Sequence, residues 1–326
     1  MEAVPVKTMT QSRSSPHFVA VTGLPRAGST LMTQLLAQHP DIASNTRSSA
    51  LANLLLTLRR AVSDDTFFLS HLDQSFEEAY GQLDRGMTGF LRGWLGAEDK
   101  GFVVDKNRAW LHSVEFLLRL APEAKLVVCL RDLAQIYGSI EAQHQRTILL
   151  DFPDRLADFD RLGRADQLFG KDRVLGAPLV SLAAVQDFDQ SIRDRMYFVR
   201  FEDLIEDPAA SMERLFAWIG AAPHAIDLNN LARGVSESDS HYRFKFRHAQ
   251  ATRIAKPSQH VLPLRIQGLI DTAYGWYYQT YYRDRPEGRR AALVAAGNVQ
   301  GAAQAQGMAQ AELMRESPTP NLDPKG

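Results

Sequence analysis

Short apolar runs alternate with segments whose apolar residues recur every three or four positions. His17 to Thr22 (H-F-V-A-V-T) is a compact apolar run rich in β-branched residues, followed at once by a Gly-Pro-Gly punctuated turn. That pattern predicts a buried parallel strand entering a loop. From Ser29 the chain reads as a helix ended by Pro40, and residues 51–60 and 64–96 read as further helices. Phe102 to Val104 and Lys125 to Leu130 predict two more strands, the latter followed by a helix over 132–148. The stretch from Asp151 to Asp194 predicts helices without a strand signal. Met196 to Phe201 is a fourth strand, 208–219 an amphipathic helix ended by Gly220, and 264–282 a helix with a dense aromatic face. Strand and helix in alternation, with a glycine loop after the first strand, predict an α/β protein with a mostly parallel central sheet flanked by helices.

Composition narrows the class. Among 326 residues, 37 Lys and Arg balance 38 Asp and Glu, and 45% of the chain is apolar. This excludes wholesale disorder and argues against a general nucleic-acid surface, which needs a basic excess. A single cysteine, Cys129, rules out a disulfide framework and a multi-Cys zinc site. No apolar run approaches the roughly 20 residues that span a bilayer. The polar start lacks a signal-peptide core. A soluble, cytoplasmic protein is expected, with no nucleic-acid or membrane partner. Residues 1–16 are expected to be a flexible leader and 17–285 a single domain. Residues 286–326 are expected to be a largely disordered tail, since nine of the 21 residues from Ala291 to Ala311 are Ala.

Gly23-Leu24-Pro25-Arg26-Ala27-Gly28-Ser29-Thr30 has the G-x4-G-x-[ST] frame of a phosphate-binding loop. The frame needs glycines because backbone N–H groups must turn inward around phosphate oxygens. The helix from Ser29 then directs its N-terminal N–H groups at the anion. In nucleotide triphosphatases a lysine precedes the final Ser/Thr; here Ser29 stands there, and the nearby cation is Arg26. That change disfavours a triphosphate tail and leaves room for a 5′-phosphate carrying one further group. A glycine turn that binds nothing is the bland alternative. At the end of the third strand stands Arg131, with Ser139 eight residues on. A guanidinium at a helix mouth and a hydroxyl from its third turn could grip a second phosphate. Arg131 paired with a carboxylate, and Ser139 merely exposed, would fit the same spacing.

Together these pieces resemble the sulfotransferases that use 3′-phosphoadenosine 5′-phosphosulfate, with some likeness to the bacterial and tyrosylprotein types. Pro25-Arg26-Ala27-Gly28-Ser29-Thr30 matches the family's 5′ motif P-[RK]-[SA]-G-[ST]-T. Arg131 and Ser139 match its 3′ motif, and Arg200-Phe201-Glu202-Asp203-Leu204 matches its R-[YF]-E-D-L marker. The resemblance implies a P-loop-containing three-layer fold. It also implies sulfuryl transfer to the hydroxyl of a small molecule, carbohydrate or peptide tyrosine, with release of adenosine 3′,5′-bisphosphate. It assigns Pro25 to Thr30 to the 5′-phosphosulfate and Arg131 and Ser139 to the 3′-phosphate. Lys256, in a late basic segment, becomes a further donor contact, with a solvated lysine as the alternative. Arg26 and Lys106 become the cations at the leaving oxygen, and no metal is required. Phe201, where some relatives place a Tyr near the adenine, is read as packing.

Two departures stand out. The His that many relatives carry two residues after the motif lysine is Arg108 here. The Glu-Glu-Thr-Arg segment of tyrosylprotein types reads Ser44-Asn45-Thr46-Arg47. Asp105 and His112 are the acid–base residues nearby, and neither is assigned as a base. An inactive nucleotide-binding member and a small-molecule kinase on a related loop stay open as alternatives. Arg47 and the 51–96 region are expected to line the acceptor pocket. Trp94, Trp110 and the Tyr274–Tyr282 cluster read first as core or as a dimer surface, which allows a homodimer.

Overall fold

The computed structural model describes residues 16–96, 99–149, 155–231 and 252–288, with 290, 291, 294 and 297 beyond. The expected leader and nearly all of the expected tail lie outside the described residues. The elements run β1 (His17–Gly23), α1 (Ser29–Leu36), β2 (Ile42–Ser48), α2 (Leu51–Ser63), α3 (Thr66–Gln74) and α4 (Phe76–Leu95). Next come β3 (Phe102–Lys106), α5 (Val114–Leu120), β4 (Lys125–Leu130), α6 (Leu133–Arg146), α7 (Arg161–Phe169), α8 (Gly176–Ala184) and α9 (Gln190–Arg193). β5 (Met196–Arg200), α10 (Phe201–Glu206), α11 (Pro208–Ile219), α12 (Leu264–Ala273) and α13 (Gly275–Tyr281) complete the order.

The five strands pair in parallel, in the order β2-β3-β1-β4-β5. Parallel neighbours need crossovers, which is why helices alternate with the strands and flank the sheet. β1 is central and buried along six of its seven residues, as a strand covered on both faces must be. Successive segments fill the sheet first on one side of β1 and then on the other. The crevice at the carboxyl ends of β3, β1 and β4 is therefore the topological switch point, where open α/β sheets bind ligands.

Most predicted elements stand where the hydrophobic pattern put them; the differences have local causes. β2 carries Ala, Ser, Asn, Thr and Arg, and a polar edge strand leaves no apolar run to read. β3 runs two residues further than expected, through the buried Asp105 and Lys106. The helical span 64–96 is two helices: Asp65 caps α3 by accepting from the Phe68 N–H, and Ser75 breaks it from α4. The late aromatic helix likewise breaks at Tyr274. α1 ends at Leu36, ahead of Pro40.

The chain divides into two compact units, residues 1–131 with 135–259, and 132–134 with 260–326. The span 17–285 contains parts of both. In the second unit Tyr277, Tyr278 and Tyr282 are fully buried, so the aromatic cluster is core. The Tyr278 hydroxyl donates to Asp132 Oδ1 at 2.7 Å, and the same oxygen accepts the Ala134 N–H at 3.0 Å, capping the start of α6. Burial first, and the Asp132 charge second, push the Tyr278 phenol well above its ordinary pKa. In the first unit α6 is tied to α7 by Arg164, whose Nε donates to Glu141 Oε2 at 2.9 Å. Burial pushes the Glu141 carboxyl up, but the hydrogen bonds and charge of Arg164 outweigh it and hold the pKa below the usual carboxylate value. Among the described residues no helix is long and apolar enough to cross a membrane.

Gly23, the last residue of β1, shows how tightly the strand ends meet. It has φ of 121°, and a Cβ there would lie 2.2 Å from the Cys129 carbonyl oxygen of β4. Gly220 also has positive φ, at 88°, but nothing lies within 4 Å of its would-be Cβ. Gly220→Ala should therefore cost only the left-handed backbone penalty of about 1–2 kcal/mol. Gly23→Ala should cost roughly 1–3 kcal/mol more, from forced displacement of β4. Urea unfolding of the two variants measures the difference, and equal losses would contradict it.

Candidate active site

Four strand ends deliver the site. β1 opens into the glycine loop, β3 ends in Lys106, β4 is followed by Arg131, and β5 ends at Arg200 before Phe201. The parallel registers, with Val21 opposite Lys106 and Gly23 opposite Cys129, hold these ends level. The loop then turns through two left-handed residues, Arg26 at φ 60° and Gly28 at φ 86°. Leu24, Pro25 and Ala27 are buried beneath it, whereas Ser29 and Thr30 are half-buried at its lip.

Gly28 is the N-cap of α1 and offers no side-chain cap, and the first turn of that helix holds no acidic residue. The first intrahelical bond is from Met32 N–H to the Gly28 carbonyl, so the N–H groups before it are those an anion would meet. Glycine is needed here for a second reason. A Cβ on Gly28 would lie 2.5 Å from the Phe201 ring. That ring also lies beneath the Arg131 guanidinium, whose carbon is 4.7 Å from the ring centroid. Phe201 thus packs against the loop and the cation together, a role broader than the packing expected of it. Its place at the first residue after β5 is the signal that marks it.

The cations are ordered by the protein itself. Lys106 is only 4% exposed, and its Nζ donates to Thr30 Oγ1 at 3.1 Å. The ammonium that the loop lacks at Ser29 therefore arrives from the neighbouring strand β3. Arg131 is 7% exposed, and its Nη1 donates to the Arg26 carbonyl at 3.0 Å. The Arg26 guanidinium leaves the loop towards α6, where Nε and Nη2 both donate to Ser139 Oγ at 3.3 Å. Two groups result: Lys106 with Thr30, and Arg131 with Arg26 and Ser139, Phe201 lying between Arg131 and Gly28. Lys256 is exposed on the irregular segment after Thr252, and among the described residues no hydrogen bond or ion pair joins it to the loop.

The remaining candidates have structural partners. Asp105 Oδ2 accepts the Trp110 indole N–H at 2.7 Å, with Ser49 as a further hydrogen-bond partner. Burial raises its pKa above the carboxylate norm, and those two hydrogen bonds only moderate the rise. Strand alternation puts Asp105 and Lys106 on opposite faces of β3. Trp110 is fully buried and belongs to the core. The His112 ring shares a hydrogen bond with Ser181 on α8. Asn107 escaped notice in the sequence. Its Oδ1 accepts the Ala109 N–H at 2.8 Å and its Nδ2 donates to the Ser49 carbonyl at 2.7 Å, locking the turn after Lys106 to the start of α2. An Asn just before a helical turn is the signal that could have found it.

The region 51–96, expected around the acceptor, borders a cavity of about 640 Å³ lined by residues such as Arg59, Phe68, Met87, His112 and Phe116. Neither the glycine loop nor Lys106 nor Arg131 is in its lining. Arg47 lies on the edge strand β2 and is exposed. Among the described residues no group of three or more His, Cys, Asp or Glu is arranged to hold a metal ion.

Comparison with known proteins adds relatives to this geometry. The chain is 25% identical over 224 residues to the nodulation protein NoeE of Sinorhizobium fredii, covering 65% of this chain and 52% of that protein. It is 30% identical over 130 residues to protein-tyrosine sulfotransferase 1 of Rattus norvegicus, covering 39% of this chain and 34% of that protein. The chain thus spans about half the length of the first relative and a third of the second. Among solved structures, the sulfotransferase domain of the Synechococcus PCC 7002 olefin synthase superposes with a TM-score of 0.40 at 17% identity, covering 69% of this chain and 80% of that one. That superposition is too loose to add to the fold already described. A family model described as the sulfotransferase family matches residues 16–224, which include the glycine loop, Lys106, Arg131, Ser139 and Phe201. The chain belongs to the sulfotransferase family.

Proposed function

We propose that this chain is an enzyme that moves a sulfuryl group from 3′-phosphoadenosine 5′-phosphosulfate to an acceptor hydroxyl, leaving adenosine 3′,5′-bisphosphate. The observation that carries this reading is two sets of hydrogen-bond donors at neighbouring strand ends. One is the N-terminus of α1 with Lys106 on Thr30; the other is Arg131 beside the Arg26–Ser139 contact. Two such donor sets suit one ligand with phosphates at both ends. The donor set fits that ligand, since the converging groups are N–H, hydroxyl, ammonium and guanidinium donors.

When bound, the donor supplies an activated sulfuryl group and a stable leaving anion. Lys106 and the first N–H groups of α1 are the groups placed to meet charge growing on the leaving oxygen. Fixed in advance, they stabilise the transition state more than the ground state. The resemblance offers Arg26 as a second cation for that oxygen; its guanidinium lies on Ser139, and Lys106 is the cation at Thr30. A kinase reading is disfavoured by the same contact. The loop threonine of such enzymes holds magnesium, and here its hydroxyl accepts from an ammonium.

The acceptor is a hydroxyl of a small molecule, a carbohydrate or a peptide tyrosine. With Asp105 held by Trp110 and Ser49, this reading assigns no carboxylate base, which favours an acceptor of phenolic acidity. Calorimetric titration tests the donor. Adenosine 3′,5′-bisphosphate should bind without metal and much more tightly than ATP with magnesium; a preference for ATP would overturn the reading. Lys106 is buried, so Lys106→Met keeps its volume. It should lower turnover by on the order of 100-fold while changing the Kd for the bisphosphate less than about threefold. An unchanged kcat would remove Lys106 from the reaction.

A further inference from the structure

We propose that Asn107 is a positioning residue for the reaction: through Ser49 it fixes the backbone from which the Lys106 ammonium reaches Thr30. The inference rests on the reading of Lys106 given above and adds the side chain that holds that lysine in place.

Three observations converge on it. The first is a break and return in the edge strand. β2 pairs with β3 as far as Ser44 opposite Val104, and next at Ser48 opposite Lys106, so residues 45–47 stand against Asp105 alone. Irregularities of this kind re-aim strands beside active sites, and here the pairing resumes at the lysine. The second is Ser49, which meets three consecutive residues, 105–107. Its N–H donates to the Lys106 carbonyl at 2.9 Å, its hydroxyl hydrogen-bonds the Asp105 carboxyl, and its carbonyl accepts the Asn107 side-chain N–H at 2.7 Å. The third is that Asn107 divides its amide between two tasks. Oδ1 accepts the Ala109 N–H at 2.8 Å and caps the short turn Arg108–His112. Nδ2 donates to Ser49, with Asn53 Oδ1 of α2 as a second acceptor at 3.3 Å.

The chain leaves the sheet at Asn107, whose own backbone N–H goes to the Val21 carbonyl of β1 at 3.1 Å. The backbone beyond turns away into 108–112, and the Asn107 side chain takes the place of a ladder N–H at the Ser49 carbonyl. Lys106 is thereby held at its carbonyl by Ser49 and at the next peptide by β1, while its ammonium donates to Thr30 Oγ1 at 3.1 Å. A lysine has a flexible four-carbon stem, so a fixed backbone is what the fold contributes to its aim. A misplacement of about 1 Å at a reacting group can cost on the order of 100-fold in rate.

Asn107→Ser and Asn107→Ala separate the cap from the clamp. Serine is a good N-cap but too short to bridge to the Ser49 carbonyl as well; alanine does neither. Turnover is followed as release of adenosine 3′,5′-bisphosphate from the donor, with 4-nitrophenol as the probe acceptor, alongside the calorimetric Kd for the bisphosphate and thermal unfolding. Both variants should lose roughly tenfold in kcat, with the Kd within about threefold. Asn107→Ala should in addition melt about 2–4 °C lower, and Asn107→Ser should restore Tm without restoring kcat. In the Lys106→Met background Asn107→Ser should lower kcat by less than about twofold, because the residue acts through that lysine. A kcat that recovers together with Tm in Asn107→Ser would make Asn107 a cap alone and overturn the inference, as would a full loss that persists in the Lys106→Met background. If Lys106→Met by itself leaves kcat unchanged, the Lys106 reading fails, a result distinct from any Asn107 outcome.

Discussion

Everything in the site depends on how closely β1 and β4 run together at their carboxyl ends. Gly23 lies against the Cys129 carbonyl, and the Leu24 N–H donates to that same oxygen at 3.0 Å. No side chain fits between them. This contact fixes where the loop begins, and therefore which way Arg26 and Gly28 turn. It also fixes where β4 stops, and therefore where Arg131 emerges. With β3 on the other side of β1, a single register sets the spacing of both cation sites. Helix α1 could not aim its N-terminus at the crevice without it.

The constraint has an electrostatic consequence. Lys106 and Arg131 are buried, and a buried cation is costly unless hydrogen-bonded or paired. Both are given protein acceptors, Thr30 and the Arg26 carbonyl, and Arg131 has the face of Phe201 besides. These neutral acceptors orient the two cations. The donors at the crevice are thus oriented by the protein itself. The Cys129 thiol registers the same environment: burial pushes its pKa to about 12, against the pull of the nearby Lys106 charge. A thiol so held is packing, not a nucleophile.

A separate logic organises the residues around Asp105. That carboxyl sits on the same strand as Lys106 but on the other face, held by an indole and a serine hydroxyl. One strand end thus presents an ammonium to the crevice and a hydrogen-bonded acid to the core. Asn107 fastens the turn that follows and ties it to α2. The motif region is stiffened from behind, and α2 is fixed at its first turn.

Much of this was legible along the chain. Parallel strands buried on both faces give continuous apolar runs, so β1 and β4 read clearly, and glycines that must turn or approach closely mark the loop. The eight-residue interval from Arg131 to Ser139 survives because it spans one strand end and one helix, which local geometry makes rigid. β2 did not show, because an edge strand faces water and tolerates polar residues. The breaks at Ser75 and Tyr274 did not show either, because apolar periodicity runs through them. The contacts that decide the chemistry were beyond local pattern. Lys106 meets Thr30 across 76 positions and Arg26 meets Ser139 across 113. Sequence by itself determined which residue types surround the crevice, since turn, strand and cap preferences are short-range. Only the tertiary structure decided which loop or helix residue each cation meets, because strand order and register, set by long-range packing, bring those side chains together.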